Sequence, residues 1–446
     1  MALIDLTPLE TRIQRAFARG EPAGTAVRAG TVRAAVLRAL LLSAPDTEGG
    51  IPALVLDGVT VTGRLDLAFA EIPYLVRLTN CEFTHAPDLR GTRLRQLDLR
   101  GSRLPGLTAT GLRVEGDLLL AGCHVTGPLR LGRAHVEGDI SAPRLVAHGA
   151  VVLEAAQVAC ALDLEDARLH NPGSTALDAP GLSLGTLLNA GGLVAEGRVR
   201  LTGTRAGGWI SFIEAQLHNP GGVALGLSSC EARQLTFRDA RPIEGAVKLH
   251  DSTFKAIEAD PAVWPGTVRL EGLAYQALTP RLPAARRLPL LERDEDGFVR
   301  HGYEQLARVY RDTGEDGEAR TVLLAGHRRH RRSQSWPGRL WGYLQDVTVG
   351  YGFRPARAVA WLVALLLLGT VTYGLNPPAP LEPGKGPEFN AFVYAADLLL
   401  PVVDFGQEKA FAPTGPWQWP AFFLTAVGWV FATTVAAGAA RSLQRQ

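Results

Sequence analysis

Hydrophobic positions along this chain fall on a short, regular grid. The clearest stretch is Val114 to Ile140, where three copies follow one another at a constant step: Val114-Glu-Gly116-Asp-Leu118-Leu-Leu120, Val125-Thr-Gly127-Pro-Leu129-Arg-Leu131 and Val136-Glu-Gly138-Asp-Ile140. Each copy is a valine, a glycine two places on, and an apolar–x–apolar group, an alternation that puts one set of side chains inward and the other outward, as in a strand. The grid reaches back to Leu54/Leu56 and Leu65/Leu67 and forward through Leu162/Leu164, Val199/Leu201, Ile210/Phe212 and Leu235/Phe237 to Val268/Leu270. A short fixed period sustained over this much chain is the mark of a solenoid.

The energetics favour the same reading. Ordering one residue costs roughly 1–2 kcal/mol of backbone entropy, and a fully buried Leu or Val returns roughly 1.5–3 kcal/mol. A unit with two or three such residues must therefore share its core with its neighbours. The pattern predicts a mainly β protein: a right-handed parallel β-helix or pentapeptide-like solenoid over residues 51–280, with Leu118, Leu120, Leu129, Leu131, Leu162 and Leu164 inward and Asp117, Arg130 and Asp163 outward. A coil would be made of two units; the number of faces per coil stays open.

The flanks have a different period. In residues 1–50, Thr7-Pro8-Leu9-Glu10 is a capping box with proline at the first helical position, and Ile13, Ala16 and Phe17 continue one apolar face. Thr31 is the expected cap of a second helix with a stripe of Val32, Val36, Leu37, Leu40 and Leu41. Two such helices would cover the open end of the solenoid. Residues 281–335 open with prolines and continue with Phe298, Tyr303, Leu306, Ala307, Tyr310, Gly314, Ala319 and Leu323, the spacing of a tetratricopeptide-like helical hairpin.

Within the solenoid the grid is interrupted twice in the same way, at Leu169-His-Asn-Pro-Gly173 and at Leu217-His-Asn-Pro-Gly221. Asn-Pro-Gly is turn chemistry, which places both in loops on one side. His170 and His218 invite a metal reading, but with no acidic or cysteine partner seen to recur beside them they read as solvent-facing turn residues.

The C-terminal third is apolar. Ala358–Leu375 and Trp419–Ala440 are continuous runs without a charge, each of the length of a transmembrane helix, so residues 358–446 read as a two-span membrane domain. Between them, residues 389–403 predict a short interfacial or re-entrant helix. Residues 336–357 form a basic, aromatic juxtamembrane segment. Arg328, Arg329, Arg331, Arg332, Arg339, Arg354 and Arg357 suit an anionic inner leaflet, and the positive-inside rule places both termini and the solenoid in the cytoplasm. Thr348-Val-Gly-Tyr-Gly352 spells a potassium-filter sequence but precedes both expected spans. If the chain lines a pore, the better-placed segment is Val402–Gln407, with Asp397, Asp404, Gly406 and Gln407 as candidate pore residues.

Composition narrows the function classes. The chain has 446 residues and a formal net charge of +2, which argues against a protein built on phosphate contacts to nucleic acid. Four cysteines, Cys81, Cys123, Cys160 and Cys230, are too far apart for a CxxC pair and read as small members of an inner ladder in a reduced protein. No GxGxxG turn, nucleophile elbow, phosphate loop or paired carboxylates stand out, so no catalytic residue, metal or cofactor is expected.

Thr31-Val-Arg-Ala-Ala-Val-Leu-Arg-Ala-Leu-Leu-Leu42, the Val-x-Gly-x-Leu-x-Leu units, Leu104-Pro-Gly-Leu107 and Asp397-Leu-Leu-Leu-Pro-Val-Val-Asp404 with Gly406-Gln407 together resemble a family of actinobacterial-type membrane proteins with pentapeptide-like repeats. The resemblance covers most of the chain. It implies a β-helix tied to the bacterial cytoplasmic membrane. Members are sometimes labelled membrane-associated oxidoreductases, and the chain holds no haem, CxxC or dinucleotide motif to carry that activity. The expected function is a non-enzymatic, membrane-anchored scaffold with the lipid membrane, a cytoplasmic protein and further copies of itself as partners. The alternative is an oligomeric pore-loop cation channel gated by the solenoid.

Overall fold

The computed structural model describes residues 6–22, 30–43, 51–333, 355–382, 387–400 and 403–443. It divides into two units, Met1–Ala319 and Arg320–Gln446.

The first unit is a parallel solenoid of about ten coils. One coil shows the rule. Its four short strands are His124–Val125, Leu129–Arg130, His135–Val136 and Ile140–Ser141. They pair in parallel with the next coil, His124 with Val146, Leu129 with Val151, His135 with Gln157 and Ile140 with Leu162. The offset is the same for all four pairs and equals two steps of the hydrophobic grid. A coil therefore has four faces, two from each repeat unit. Left-handed backbone recurs on the grid step, at Gly122, Arg133, Arg144, Ala155 and Asp166 (φ 51–64°). The grid is thus the spacing of corners as well as of strands. Glycine adopts this conformation freely and aspartate tolerates it, whereas arginine or alanine does so under strain.

The predicted inward set is correct: Leu118, Leu120, Leu129, Leu131, Leu162 and Leu164 are all at most 1% exposed, with Arg130 exposed and Asp117 and Asp163 partly so. Along the bore Phe212 and Phe237 stack at 5.2 Å with rings 10° apart, and Trp264 meets Phe237 edge-on at 5.2 Å. Small polar side chains fill some corners. Thr92 and Ser102 donate to Leu67 O and Leu78 O of the preceding coil at 2.7 Å each, so these buried hydroxyls are paired.

The N-terminal end begins with α1 (Pro8–Arg19), whose capping box is present in both directions. Glu10, fully buried, accepts from Arg33 Nε at 2.9 Å and Nη2 at 2.6 Å. Thr31 does not cap a helix. Thr31–Arg33 is the first strand, paired with Thr60–Thr62, and α2 (Ala34–Leu42) starts only after it. The β-branched Thr31 and Val32 extend the solenoid by one strand, and Phe17 packs edge-on against Tyr74 at 5.5 Å.

At the other end α3 (Ala284–Glu292) and α4 (Arg300–Asp312) follow the last strand, Ala274–Thr279. Gln305 donates to Tyr275 O, and Tyr310 Oη to Leu282 O at 2.6 Å. The chain continues as α5 (Asp316–Ser333).

The second unit contains α6 (Pro355–Leu375), α7 (Ala391–Leu399), the one-turn α8 (Gln407–Ala410) and α9 (Gln418–Leu443). Leu365, Tyr373, Tyr394, Leu398, Leu399, Phe411 and Leu424 form its core. Close helix approach is built in at two glycines. A Cβ on Gly428 would stand 2.3 Å from Leu399 O, and one on Gly369 would stand 2.9 Å from Leu424 Cδ1.

The expectation of two transmembrane helices is corrected: among the described residues no helix is long and apolar enough to cross a membrane. The expectation rested on runs without a charge, and lack of charge is a weaker property than a continuous apolar surface. The second half of the first run, Gly369-Thr-Val-Thr-Tyr-Gly374, serves packing and local bonding. Thr370 and Thr372 donate to carbonyls one turn back at 2.7 and 2.8 Å, and Tyr373 is fully buried with its hydroxyl on Trp417 O at 3.1 Å. Side chains of the second run beyond Val430 lie outside the described residues, as does Thr348–Gly352.

Candidate functional site

The two Asn-Pro-Gly interruptions organise the most distinctive surface of the solenoid. Each lengthens its coil between the first and second faces, so that Val151 pairs with Leu177 and Val199 with Leu225, past the regular offset. Each loop closes through its asparagine: Asn171 Nδ2 donates to Thr175 O at 2.8 Å and Asn219 Nδ2 to Val223 O at 2.9 Å. Each needs a glycine on the following coil. A Cβ on Gly197 or Gly245, both at positive φ (121° and 127°), would stand 2.5 Å from Asn171 O or Asn219 O.

Beside these loops runs a column of imidazoles and carboxylates. His170, Glu196, His218 and Glu244 are direct register neighbours on four successive coils. His170 Nδ1 lies 2.6 Å from Glu196 and His218 Nδ1 2.8 Å from Glu244. His148 extends the column, its ring edge-on to His170 at 5.6 Å. The expectation that the two histidines lack an acidic partner is corrected by these contacts. Glu196 and Glu244 are those partners, each one coil further along the chain. That repeated offset between histidine and glutamate was present in the sequence but becomes meaningful only once the lengthened coil is known. Among the described residues no group of three or more His, Cys, Asp or Glu side chains is placed to hold a metal ion, so the column can offer alternating donors and acceptors along a rigid stripe.

The candidate pore residues come together, but around each other. Asp397, 4% exposed, accepts from the backbone N–H of Phe405 and of Glu408, both at 2.8 Å. Gln407 is buried too, donating to Glu388 O at 3.0 Å and accepting from Asn390 N at 3.3 Å. Gly406 supplies the left-handed turn (φ 80°) before α8. Asp404 is exposed, and its ion pair with Lys409 and the Gly406 N–H hold its carboxyl below the usual carboxylate range. These four residues knot the 388–409 segment together within one chain.

The basic residues scatter more. Arg328 is exposed and Arg329 partly exposed on α5, while Arg331, Arg332 and Arg357 lie on helices whose side chains there are outside the described set. Arg339 and Arg354 lie outside the described residues.

The cysteines divide. Cys81, Cys123 and Cys230 are buried, and burial raises their thiols to about 11, about 12 and about 11. Cys160 is half-exposed at a corner, so it does not belong to the inner ladder. Its offset from the valine-led unit, one place past Ala159, carries it out to the turn.

The surface of the second unit is unlike that of the first. Among the described residues, four large apolar side chains are exposed in Met1–Ala319 and seventeen in Arg320–Gln446. They include Leu367, Leu368, Trp419, Phe422, Phe423 and Trp429, each between 56% and 75% exposed. Exposed apolar surface on this scale marks an interaction site. Compared with protein-family models, with curated proteins and with solved structures, the chain matches none.

Proposed function

We propose that the chain is an interaction scaffold without chemistry of its own. In this reading its solenoid offers the His170–Glu244 stripe and the Asn-Pro-Gly loops to a protein partner, and its C-terminal helices rest against a lipid surface. The observation that carries it is the apolar cover of the second unit. Among the described residues α6 exposes Trp361, Leu367 and Leu368 and α9 exposes Trp419, Phe422 and Phe423, and exposed apolar surface of this kind calls for a partner. Tryptophan and phenylalanine at their exposed positions suit the headgroup boundary. Arginines at 328, 329 and 354 precede α6 in sequence, Arg357 lies in its first turn, and together they suit anionic lipid. Four free cysteines, three of them buried, fit a reducing compartment, which makes the inner face of a bacterial membrane the proposed location. The pore reading draws no such support, since Asp397 is occupied by backbone donors of its own chain.

The test is quenching of tryptophan emission by vesicles containing lipids brominated near the headgroup. The reading expects strong quenching with anionic vesicles, from Trp361, Trp419 and Trp429. Emission unchanged by brominated lipid at any composition would reject the lipid surface.

A further inference from the structure

The C-terminal end of the solenoid bore is not filled. A cavity of about 50 Å³, or about 650 Å³ counting its open mouth and the spaces between side chains, lies between the last coils and α3–α4. Leu249, Trp264 and Leu270 form its floor, and Leu291 and Leu306 its helical wall. Elsewhere in the bore the comparable gap, between Leu65 and Leu99, is about 10 Å³ with a purely apolar lining. Packing defects of that smaller kind are ordinary in a close-packed interior. The end cavity is larger and has something the other lacks, which is a guanidinium.

Arg287 lines the cavity. It is half-buried on α3, and no carboxylate pairs with it among the described residues. Its Nη2 donates to Pro280 O, and Tyr310, whose own hydroxyl proton goes to Leu282 O, stands beside it as an acceptor. Asp260, whose charge acts on it, is engaged with Ala262 N at 2.8 Å. Burial pulls the Arg287 pKa down and pushes that of Tyr275, a second lining residue, up. A desolvated guanidinium is ordinarily kept next to an anion. Here its fork has donors to spare, and the Tyr275 hydroxyl makes no side-chain hydrogen bond within the described residues.

We propose that this cavity binds an amphipathic carboxylate, an unbranched acyl chain lying in the apolar slot with its carboxylate on Arg287 and Tyr275. The small volume selects the chain. A dry cavity that takes a benzene ring measures about 150 Å³, so a slender alkyl chain entering from the open mouth fits where a ring does not. The guanidinium selects the head group, because it pairs with a carboxylate through two parallel hydrogen bonds. An alcohol or a quaternary amine of the same length lacks that match.

The test is calorimetric titration of the full chain with decanoate and, separately, with decanol. Saturable binding of one decanoate per chain is expected, at least tenfold tighter than decanol. Arg287→Gln should weaken decanoate at least tenfold and leave decanol within twofold. Gly302→Leu, whose added side chain points at Leu291 from 3.3 Å, should abolish both, and Leu290→Trp should do the same by filling the slot from α3 should the first variant not fold. No saturable decanoate binding would overturn the proposal. So would decanoate affinity unchanged in Arg287→Gln, which would remove the guanidinium from recognition. Binding that survives both filled variants would overturn it as well, by placing the ligand on the apolar surface of the second unit.

Discussion

Asp98 is fully buried at the solenoid wall, and Arg77, one coil before it, donates to its carboxylate at 3.1 Å. Arg100 completes the clamp at 2.9 and 2.8 Å. The same arrangement recurs at Asp88, held by Arg64 and Arg90. Burial alone would raise the Asp98 pKa; the Arg100 hydrogen bonds and the charges of Arg100 and Arg77 outweigh it and hold the carboxyl below the usual range. Removing the carboxylate loses its charge-assisted hydrogen bonds, and although the half-exposed Arg100 turns to water, the loss costs about 1–3 kcal/mol. Asp98→Ala should therefore lower the melting temperature, while Asp163→Ala, with a partly exposed carboxylate, should change it little. Equal melting of the two variants would remove the clamp from the stability of the coil.

The same groups set an acid limit. Glu10 is lowered to about 2, chiefly by the Arg33 hydrogen bond, and Asp88 and Asp98 are lowered by their arginines against the effect of burial. A depressed folded pKa contributes stability that is fully present above the unfolded carboxylate value of about 4 and is lost as pH falls through the folded value. Stability should be flat from neutral pH to about 5 and fall steeply between about 4 and 2. Glu10→Gln should flatten part of that fall, measured by denaturant midpoints across the range. An identical acid slope in the variant would contradict the assignment.

Leu129 is 1% exposed and lies over Leu107 and Val151 of the adjoining coils. Leu129→Ala should cost roughly 2–5 kcal/mol, since a coil wall cannot collapse to fill the gap without moving its neighbours. The exposed Arg130 beside it should tolerate alanine within about 0.5 kcal/mol. Chemical denaturation of the pair reads the register directly, and the reverse ranking would place Arg130 inside.

The thiols should report burial in one experiment. With an aromatic disulfide reagent at mildly alkaline pH, Cys160 should react in the native state, and Cys81, Cys123 and Cys230 only after unfolding, because burial keeps their thiols protonated. Four equally fast thiols in native protein would contradict the inward placement of three of them.

Asp397 holds the Phe405–Glu408 backbone, so Asp397→Ala should free the segment that carries the exposed Lys409. Losing two charge-assisted bonds costs about 1–3 kcal/mol of local stability, which should speed trypsin cleavage after Lys409 roughly tenfold or more. An unchanged cleavage rate would show that the knot stands without the carboxylate.

Much of the fold was legible because its rule is local. Alternation at Leu129-Arg-Leu131 fixes which side faces in, and the constant step from Val114 to Val125 to Val136 fixes where the next corner falls. What a single coil does not encode is the number of faces, since Leu129 and His135 pair with Val151 and Gln157 of the next coil rather than with each other. The acidic partners of His170 and His218 were missed for the same reason, the Asn-Pro-Gly loops having moved them off the grid. Val32 and Val36 fit a helical stripe with Thr31 as its cap, and pairing with Thr60–Thr62 makes Thr31–Arg33 a strand instead. In the C-terminal unit, absence of charge was mistaken for continuous apolar surface, whereas Gly369, Gly428 and Tyr373 are there for helix packing.

The central claim is that the second unit meets lipid. Flotation of the full chain with phosphatidylglycerol-containing vesicles, without detergent, tests it most directly, alongside a variant carrying Trp419→Asp, Phe422→Asp and Phe423→Asp. These side chains are 75%, 62% and 56% exposed, so the changes leave the Leu365–Leu424 core intact. Burying each aromatic in lipid is worth roughly 1.5–3 kcal/mol. The account predicts that the native chain rises with the vesicles and that the variant partitions at least about a hundredfold more weakly while melting at the native temperature. A native chain left at the bottom of the gradient as a monodisperse species, or a variant that floats as well as the native chain, would contradict it.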